Sequence, residues 1–129
     1  MTNTPKIECE QHHTILPVDD MDAAVEFYTK KLGFWLAFKW GTPVTMAGVN
    51  LGQHVQIFLE LGTANPKGYS MYFVVGDADE LYEFHRANGV ETICPPDNRN
   101  YGLRDYGVRD LYGYQLSFGH RLPECESEE

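Results

Sequence analysis

The sequence predicts an α+β fold of two βαβββ modules, each a curved sheet with its helix outside, arranged around a cleft. The first observation behind this is an internal repeat. Val18-Asp19-Asp20-Met21-Asp22 is matched 57 residues later by Val75-Gly76-Asp77-Ala78-Asp79, and Glu26-Phe27 by Glu83-Phe84. At the same offset Leu59-Glu60-Leu61-Gly62 falls on Leu116-Ser117-Phe118-Gly119, so one register relates both ends of each copy. The second observation is that each copy reads as a strand, a helix and then further strands. The third is that two copies are too few for a solenoid, which needs at least about three stacked repeats to bury its faces, so the modules must pack against each other.

The elements follow in order. Residues 12 to 18 read as a strand. Asp20 is placed as an N-cap, and Met21, Ala24, Val25, Tyr28 and Leu32 recur at helical spacing behind it. Strands are expected at 34 to 40, 44 to 50 and 54 to 61. Pro66 and Gly68 mark residues 63 to 68 as a connection. The second copy repeats the plan: a strand over 69 to 75, and a helix opened by Asp77 and Glu80 as a capping box. That helix continues along one face through Leu81, Phe84 and His85 and stops at Gly89. Strands then follow at 91 to 94, 103 to 109 and 114 to 120. The chain thus divides into module 1 (about 10–62), a linker (63–68), module 2 (about 69–120) and an acidic tail (121–129).

Composition narrows the function classes. A chain of 129 residues suits one domain, and its 43% apolar and 22% charged content is ordinary for a globular protein. The polar start carries no signal-peptide core and no apolar run is long enough to span a bilayer, so a cytoplasmic protein is expected, without a membrane partner. Cys9, Cys94 and Cys125 are odd in number and outside any C-x-x-C pattern, so they read as reduced thiols. A net charge of −9 repels phosphates, which excludes nucleic acid as a partner and favours a neutral or cationic ligand. Part of that charge lies in Glu124, Glu126, Glu128 and Glu129, a solvated tail. There is no nucleophile elbow, phosphate loop, dinucleotide fingerprint or H-E-x-x-H helix.

The segments His13-Thr14-Ile15-Leu16-Pro17-Val18-Asp19-Asp20, Ala23-Ala24-Val25-Glu26-Phe27-Tyr28 and Leu32-Gly33-Phe34 resemble the opening of a vicinal oxygen chelate module. Val108-Arg109-Asp110-Leu111-Tyr112-Gly113-Tyr114-Gln115-Leu116 resembles the closing turn and strand of that superfamily, with Leu111 where proline is usual in the turn. The resemblance covers roughly residues 10 to 120. It implies the fold of glyoxalases, methylmalonyl-CoA epimerases, extradiol dioxygenases, fosfomycin-resistance enzymes and bleomycin-resistance proteins, and leaves the reaction open.

Metal-dependent members of that superfamily take ligands from the first and last strands of each module. The resemblance assigns those positions to His13 and Glu60, and the repeat carries them to Ser70 and Ser117. Serine hydroxyls are poor ligands for Zn, Fe, Ni or Mn, so the metal set is incomplete and no cofactor is expected. His12 points to the other strand face, and His120 lies beyond the last strand.

Strand parity sorts the remaining candidates. In residues 54 to 61 the odd positions are aliphatic and take the helix-covered face, which leaves His54, Gln56, Phe58 and Glu60 for the cleft. Tyr72 shares parity with Ser70, and Gln115 with Ser117. Period two puts Phe34, Leu36, Phe38 and Trp40 on one side of their strand and Trp35 and Lys39 on the other. Phe38 and Trp40 are therefore candidate aromatic walls. Arg104, Asp105, Arg109 and Asp110 read as a turn-flanking surface network.

The expected ligand site is thus His13, Gln56, Phe58, Glu60, Ser70, Tyr72, Gln115, Ser117, Phe38 and Trp40. The leading expectation is a metal-independent protein that binds a neutral or cationic, aromatic-containing small molecule, as a homodimer. The alternatives are a divalent-metal isomerase, lyase or dioxygenase using His13 and Glu60, and a non-catalytic structural or regulatory dimer.

Overall fold

The computed structural model describes residues 4–123. The expected tail from Glu124 onward, with Cys125, lies outside the described residues, and Arg121 belongs to the last strand. Eight strands, β1 (Thr14–Val18), β2 (Trp35–Trp40), β3 (Met46–Leu51), β4 (Val55–Leu61), β5 (Ser70–Val74), β6 (Glu91–Asn98), β7 (Leu103–Arg109) and β8 (Gln115–Arg121), form two sheets. Their orders are β1-β4-β3-β2 and β5-β8-β7-β6, the same topology twice, with a parallel pair at one edge of each. No helix among the described residues is long and apolar enough to cross a membrane.

The helices begin where their caps require. Asp20 accepts from the Ala23 amide at 3.0 Å and starts α1 (Met21–Glu26); Asp77 accepts from the Glu80 amide at 3.1 Å and starts α2 (Ala78–Ala87). Gly89, at φ +77°, ends α2 in a conformation only glycine adopts freely. The first helix is not a plain α-helix: Phe27–Lys31 widens into a π turn, closed by the Leu32 amide on the Phe27 carbonyl at 3.2 Å.

That π turn adds one residue and breaks the single register expected from sequence. The capping residues Asp20 and Asp77 are 57 apart, but the glycines ending the helical segments, Gly33 and Gly89, are 56 apart. A larger slip follows in module 2. Phe38 pairs with Gly48, ten residues on, whereas Cys94 pairs with Gly107, thirteen on, because β6 bulges by one residue around Pro95-Pro96 and the hairpin from Asp97 to Asp105 is two residues longer than that from Trp40 to Met46. Proline is tolerated there because β6 is an edge strand. Leu16 pairs with Leu59 and its counterpart Phe73 with Phe118, so the last strands correspond at an offset of 59. The position answering to Glu60 is therefore Gly119, not Ser117.

One core serves both modules. Leu16, Val18, Ala24, Tyr28, Leu32, Val49 and Leu59 from module 1 and Tyr106, Val108, Tyr114, Leu116 and Phe118 from module 2 are almost wholly buried in a single cluster. Its strand members lie on the helix-facing sides of both sheets, as the odd-position pattern of β4 anticipated for Leu59. Polar contacts stitch the halves together. The Tyr28 hydroxyl donates to Asp110 at 2.6 Å, the Tyr114 hydroxyl to the Pro17 carbonyl at 2.5 Å, and the Tyr112 hydroxyl to the Asp20 carbonyl at 2.8 Å. His85, buried, bridges the Leu32 carbonyl at 2.8 Å and the Tyr106 hydroxyl at 2.9 Å.

Two surface expectations are thereby corrected. Asp110 is buried at the turn before β8, where it also accepts the Tyr112 and Tyr114 amides at 2.8 and 2.9 Å. Asp105 is buried as well, while Arg104 and Arg109 do stay at the surface, paired with Asp79 and Glu91. Charge alternation cannot separate these cases: Asp105 and Arg109 share one face of β7, where Asp105 is met by Tyr72, Tyr101 and Arg99, and Asp110 lies beyond the end of that strand.

Candidate ligand-binding cleft

With their helix sides joined, the two sheets turn their other faces outward. A cleft of about 1600 Å³ opens at the seam between modules, where the approach to β1, the β3–β4 turn, β5 and the start of α2 meet. Both β1 and β5 are edge strands, so two strand edges flank it. Its apolar lining includes Ile57, Met71, Phe73, Leu81 and Phe84. Its charged and imidazole lining is Glu10, Asp77 and Glu80 with His12, His13 and His54, and among the described residues no lysine or arginine lines it. The potential in such a cleft is negative, which concentrates cations.

Of the residues expected from sequence, His13, Gln56, Ser70 and Tyr72 line this cleft. Phe58 supports it from the same sheet: the His13 ring stacks on Phe58 at 4.5 Å, and Phe38 meets Phe58 edge-on at 5.5 Å. Phe38 can lie there because Gly48 has no side chain; a Cβ at that position would collide with the Phe38 ring. Gln115 and Ser117 pair with Ser70 and Tyr72 on the outward face of the second sheet, beside the cleft. Glu60 and Trp40 are not part of it. Both pair with Met46 at the opposite end of the first sheet.

The aromatic row of β2 is also rearranged. A bulge between Leu36 and Phe38 makes Trp35, Phe38 and Trp40 share the outward face, opposite Asn50, Gly48 and Met46. Phe34 lies instead in the core, edge-on to Tyr28 and Phe73, and Leu36 takes the other side. Period two fails here because one inserted residue inverts every side chain beyond it.

The metal positions do not assemble. In the parallel β1–β4 pair Glu60 lies opposite Pro17, four residues along the strand from His13, or roughly 13 Å. His13 Nδ1 is 3.2 Å from the Gln56 carbonyl and Nε2 is 2.7 Å from the Gln11 side-chain oxygen, so both ring nitrogens face oxygens of the chain itself. The counterparts in module 2 are Ser70 and Gly119. His120 lies within β8 rather than beyond it, and its Nδ1 accepts the Ala78 amide at the start of α2. Among the described residues no group of three His, Cys, Asp or Glu is placed to hold a metal ion. The residues present do not fit a divalent centre of the superfamily type.

The sequence reading missed a polar cluster on the outward face of the second sheet. Asp105 accepts from the Tyr72 hydroxyl at 2.7 Å, the Tyr101 hydroxyl at 2.5 Å and Arg99 Nε at 2.7 Å. Arg99 also donates to the Asp105 carbonyl at 3.2 Å and approaches Cys94 Sγ at 3.8 Å. Burial pushes the Asp105 carboxyl up, but the donors Tyr101, Tyr72 and Arg99 outweigh it and hold the group below the ordinary carboxylate value. Desolvation and the neighbouring Asp105 push the Tyr72 phenol well up. Parity with Gly107 and Arg109 was the available signal; Arg99 and Tyr101 sit in a loop, where no period applies.

The glyoxalase/bleomycin resistance protein/dioxygenase superfamily model matches residues 10–118. The chain belongs to this superfamily. Solved structures share its architecture. TioX from Micromonospora sp. ML1 is 24% identical, with a TM-score of 0.75 over 87% of this chain and 100% of that one. A glyoxalase/bleomycin resistance protein/dioxygenase from Nocardioides is 25% identical, with a TM-score of 0.69 over 97% and 89%. TnmS3, an antibiotic binding protein from Streptomyces sp. CB03234, is 21% identical, with a TM-score of 0.72 over 88% and 99%. No curated protein matches the chain. At these identities TioX and TnmS3 establish the superfamily fold and nothing finer.

Proposed function

We propose that this protein binds a small, aromatic-containing, neutral or cationic molecule in the seam cleft, without a resident metal. The observation that carries the reading is the cleft itself: apolar and aromatic walls, three carboxylates and, among the described residues, no lysine or arginine to hold an anion. The description of TnmS3 as an antibiotic binding protein supports the same class of role. Glu60 is too remote to meet a ligand there, so the counter-charge falls to Glu80 and Glu10, since Asp77 is engaged in capping α2.

A thermal-shift screen of aromatic cations, neutral aromatics and aromatic carboxylates tests the reading. Cations should stabilise the protein most, and hits confined to anions would overturn it. Metal analysis of protein purified without chelator should find no stoichiometric zinc, iron, nickel or manganese. About one equivalent, lost on His13→Ala, would replace this reading with a metal enzyme.

The protein also acts as a cytoplasmic homodimer in this proposal. Trp35, Trp40 and Ile15 are 50, 67 and 40% exposed on one outward sheet face, an apolar surface that a second copy would cover. Sedimentation at micromolar concentration should show twice the 14.7 kDa chain mass. A monomer alone would refute the dimer.

A further inference from the structure

The second sheet carries a built feature that its own core does not require. Asp105, with a side chain 7% exposed, is a carboxylate held at the surface of β7 by two phenols and a guanidinium. Such an anion is costly unless every lone pair is met. The first sheet serves as an internal control. Met46 pairs with Glu60 as Asp105 pairs with Gly119, so the same strand position in module 1 is filled by methionine and the fold is unharmed. Gly119 belongs to the arrangement too: a Cβ there would lie 2.5 Å from the Tyr72 hydroxyl and 2.9 Å from Asp105 Cβ. The sheet has been kept bare so that Tyr72 can lie across it and reach Asp105.

The consequence falls on the two rings. Tyr72 and Tyr101 remain 47 and 58% exposed although their hydroxyls meet on one Asp105 oxygen. Exposed tyrosines ordinarily sample several rotamers and lose that freedom on binding. These two are anchored at the far end of the ring, so their faces are presented with that loss already incurred in the folded protein. Tyr72 also lines the cleft, which links the pair to the seam.

We propose that Asp105 is a positioning residue which fixes Tyr72 and Tyr101 as a rigid aromatic clasp, selecting ligands with a flat, unsaturated ring over saturated ones of equal charge. This rests on the ligand-binding reading above and names the shape its site prefers. Stacking on an aromatic face rewards planarity, and a fixed ring contributes more of that energy than a mobile one.

The test is a ratio of affinities. Proflavine, a planar aromatic cation, and dicyclohexylammonium, a saturated cation, are titrated against wild type, Asp105→Asn, Tyr72→Phe and Tyr101→Phe. Wild type should prefer proflavine by at least tenfold. Each variant keeps both rings yet should lose most of that preference, about fivefold or more. General destabilisation weakens both probes together and leaves the ratio unmoved. Tyr112→Phe, which removes a hydroxyl at the module joint, is the control: it should lower the unfolding midpoint and preserve the ratio. If Asp105→Asn does not fold, Tyr101→Phe, which alters one exposed loop phenol, decides the matter. Wild type binding both cations with an unchanged ratio in Tyr101→Phe and Tyr72→Phe would overturn the clasp while sparing the ligand-binding reading. Wild type binding neither cation would overturn both.

Discussion

The two sheets share strand order and helix placement, and their buried faces read alike, yet their outward faces differ in kind. On the first, Phe38 lies over Gly48 and meets Phe58, with Trp35 and Trp40 beyond. On the second, the aromatics are tyrosines anchored to Asp105, and Gly107 and Ser117 form a small polar floor. Packing constrains the faces that meet in the common core, because volume changes there are felt at once. It leaves the outward faces free to diverge, one into an apolar wall and one into a hydrogen-bonded wall.

The sharpest test of that contrast compares two phenylalanines. Phe118 is fully buried in the common core and stacked on Phe73 at 5.0 Å, so Phe118→Ala should cost about 3–5 kcal/mol in denaturant unfolding. Phe58, partly exposed on the outward face, should cost less than half of that when changed to Ala. Equal costs would show that the outward face is structural. Next comes the joint. Asp110→Ala strands the Tyr28 hydroxyl and the Tyr112 and Tyr114 amides and should cost about 3 kcal/mol, whereas Arg109→Ala, at the neighbouring surface, should change stability by less than about 0.5 kcal/mol.

In the cleft, Glu80→Gln should weaken an aromatic cation by about 1 kcal/mol, measured by calorimetric titration. Glu60→Gln, at the far end of the first sheet, should leave the affinity unchanged. The reverse result would move the site along β4.

The smallest effect expected is one of pH. Burial lowers the pKa of His85 from its ordinary 6.5, and the bond to the Leu32 carbonyl only partly restores it. Below about pH 6.5 the unfolded chain therefore takes up a proton that the folded one resists, and stability falls as pH drops toward the folded value. Denaturant midpoints measured between pH 8 and 5 should decline over that window, and the decline should be shallower in His85→Phe. An identical slope in the variant would assign it to other groups.

The alternation in β4 and both helix caps were legible because each depends on residues close in sequence. What was not legible turned on inserted residues. The bulge in β2 swapped Trp35 for Leu36 on the outward face, the π turn shifted the register by one, and the Pro95-Pro96 bulge together with the longer β6–β7 hairpin moved the counterpart of Glu60 from Ser117 to Gly119. Period counting carries no information about an insertion until strands are paired. Part of the candidate site was within reach of the sequence: parity leads to Gln56 and Tyr72, and the resemblance and the repeat lead to His13 and Ser70, all of which line the cleft, while Glu60 lies on the same sheet face but at its far end, a position along the strand that parity does not give.

The shared core has a consequence for cooperativity. With Tyr28 bound to Asp110, His85 to the Leu32 carbonyl and Phe34 packed on Phe73, neither half can open without exposing apolar surface of the other. Despite its duplicated plan, the chain should unfold as one two-state unit, and either half expressed alone should fail to fold. A ligand at the seam then stabilises the whole chain by mass action. Slowed hydrogen exchange should reach β3 and β7 together, although neither strand lines the cleft along its length.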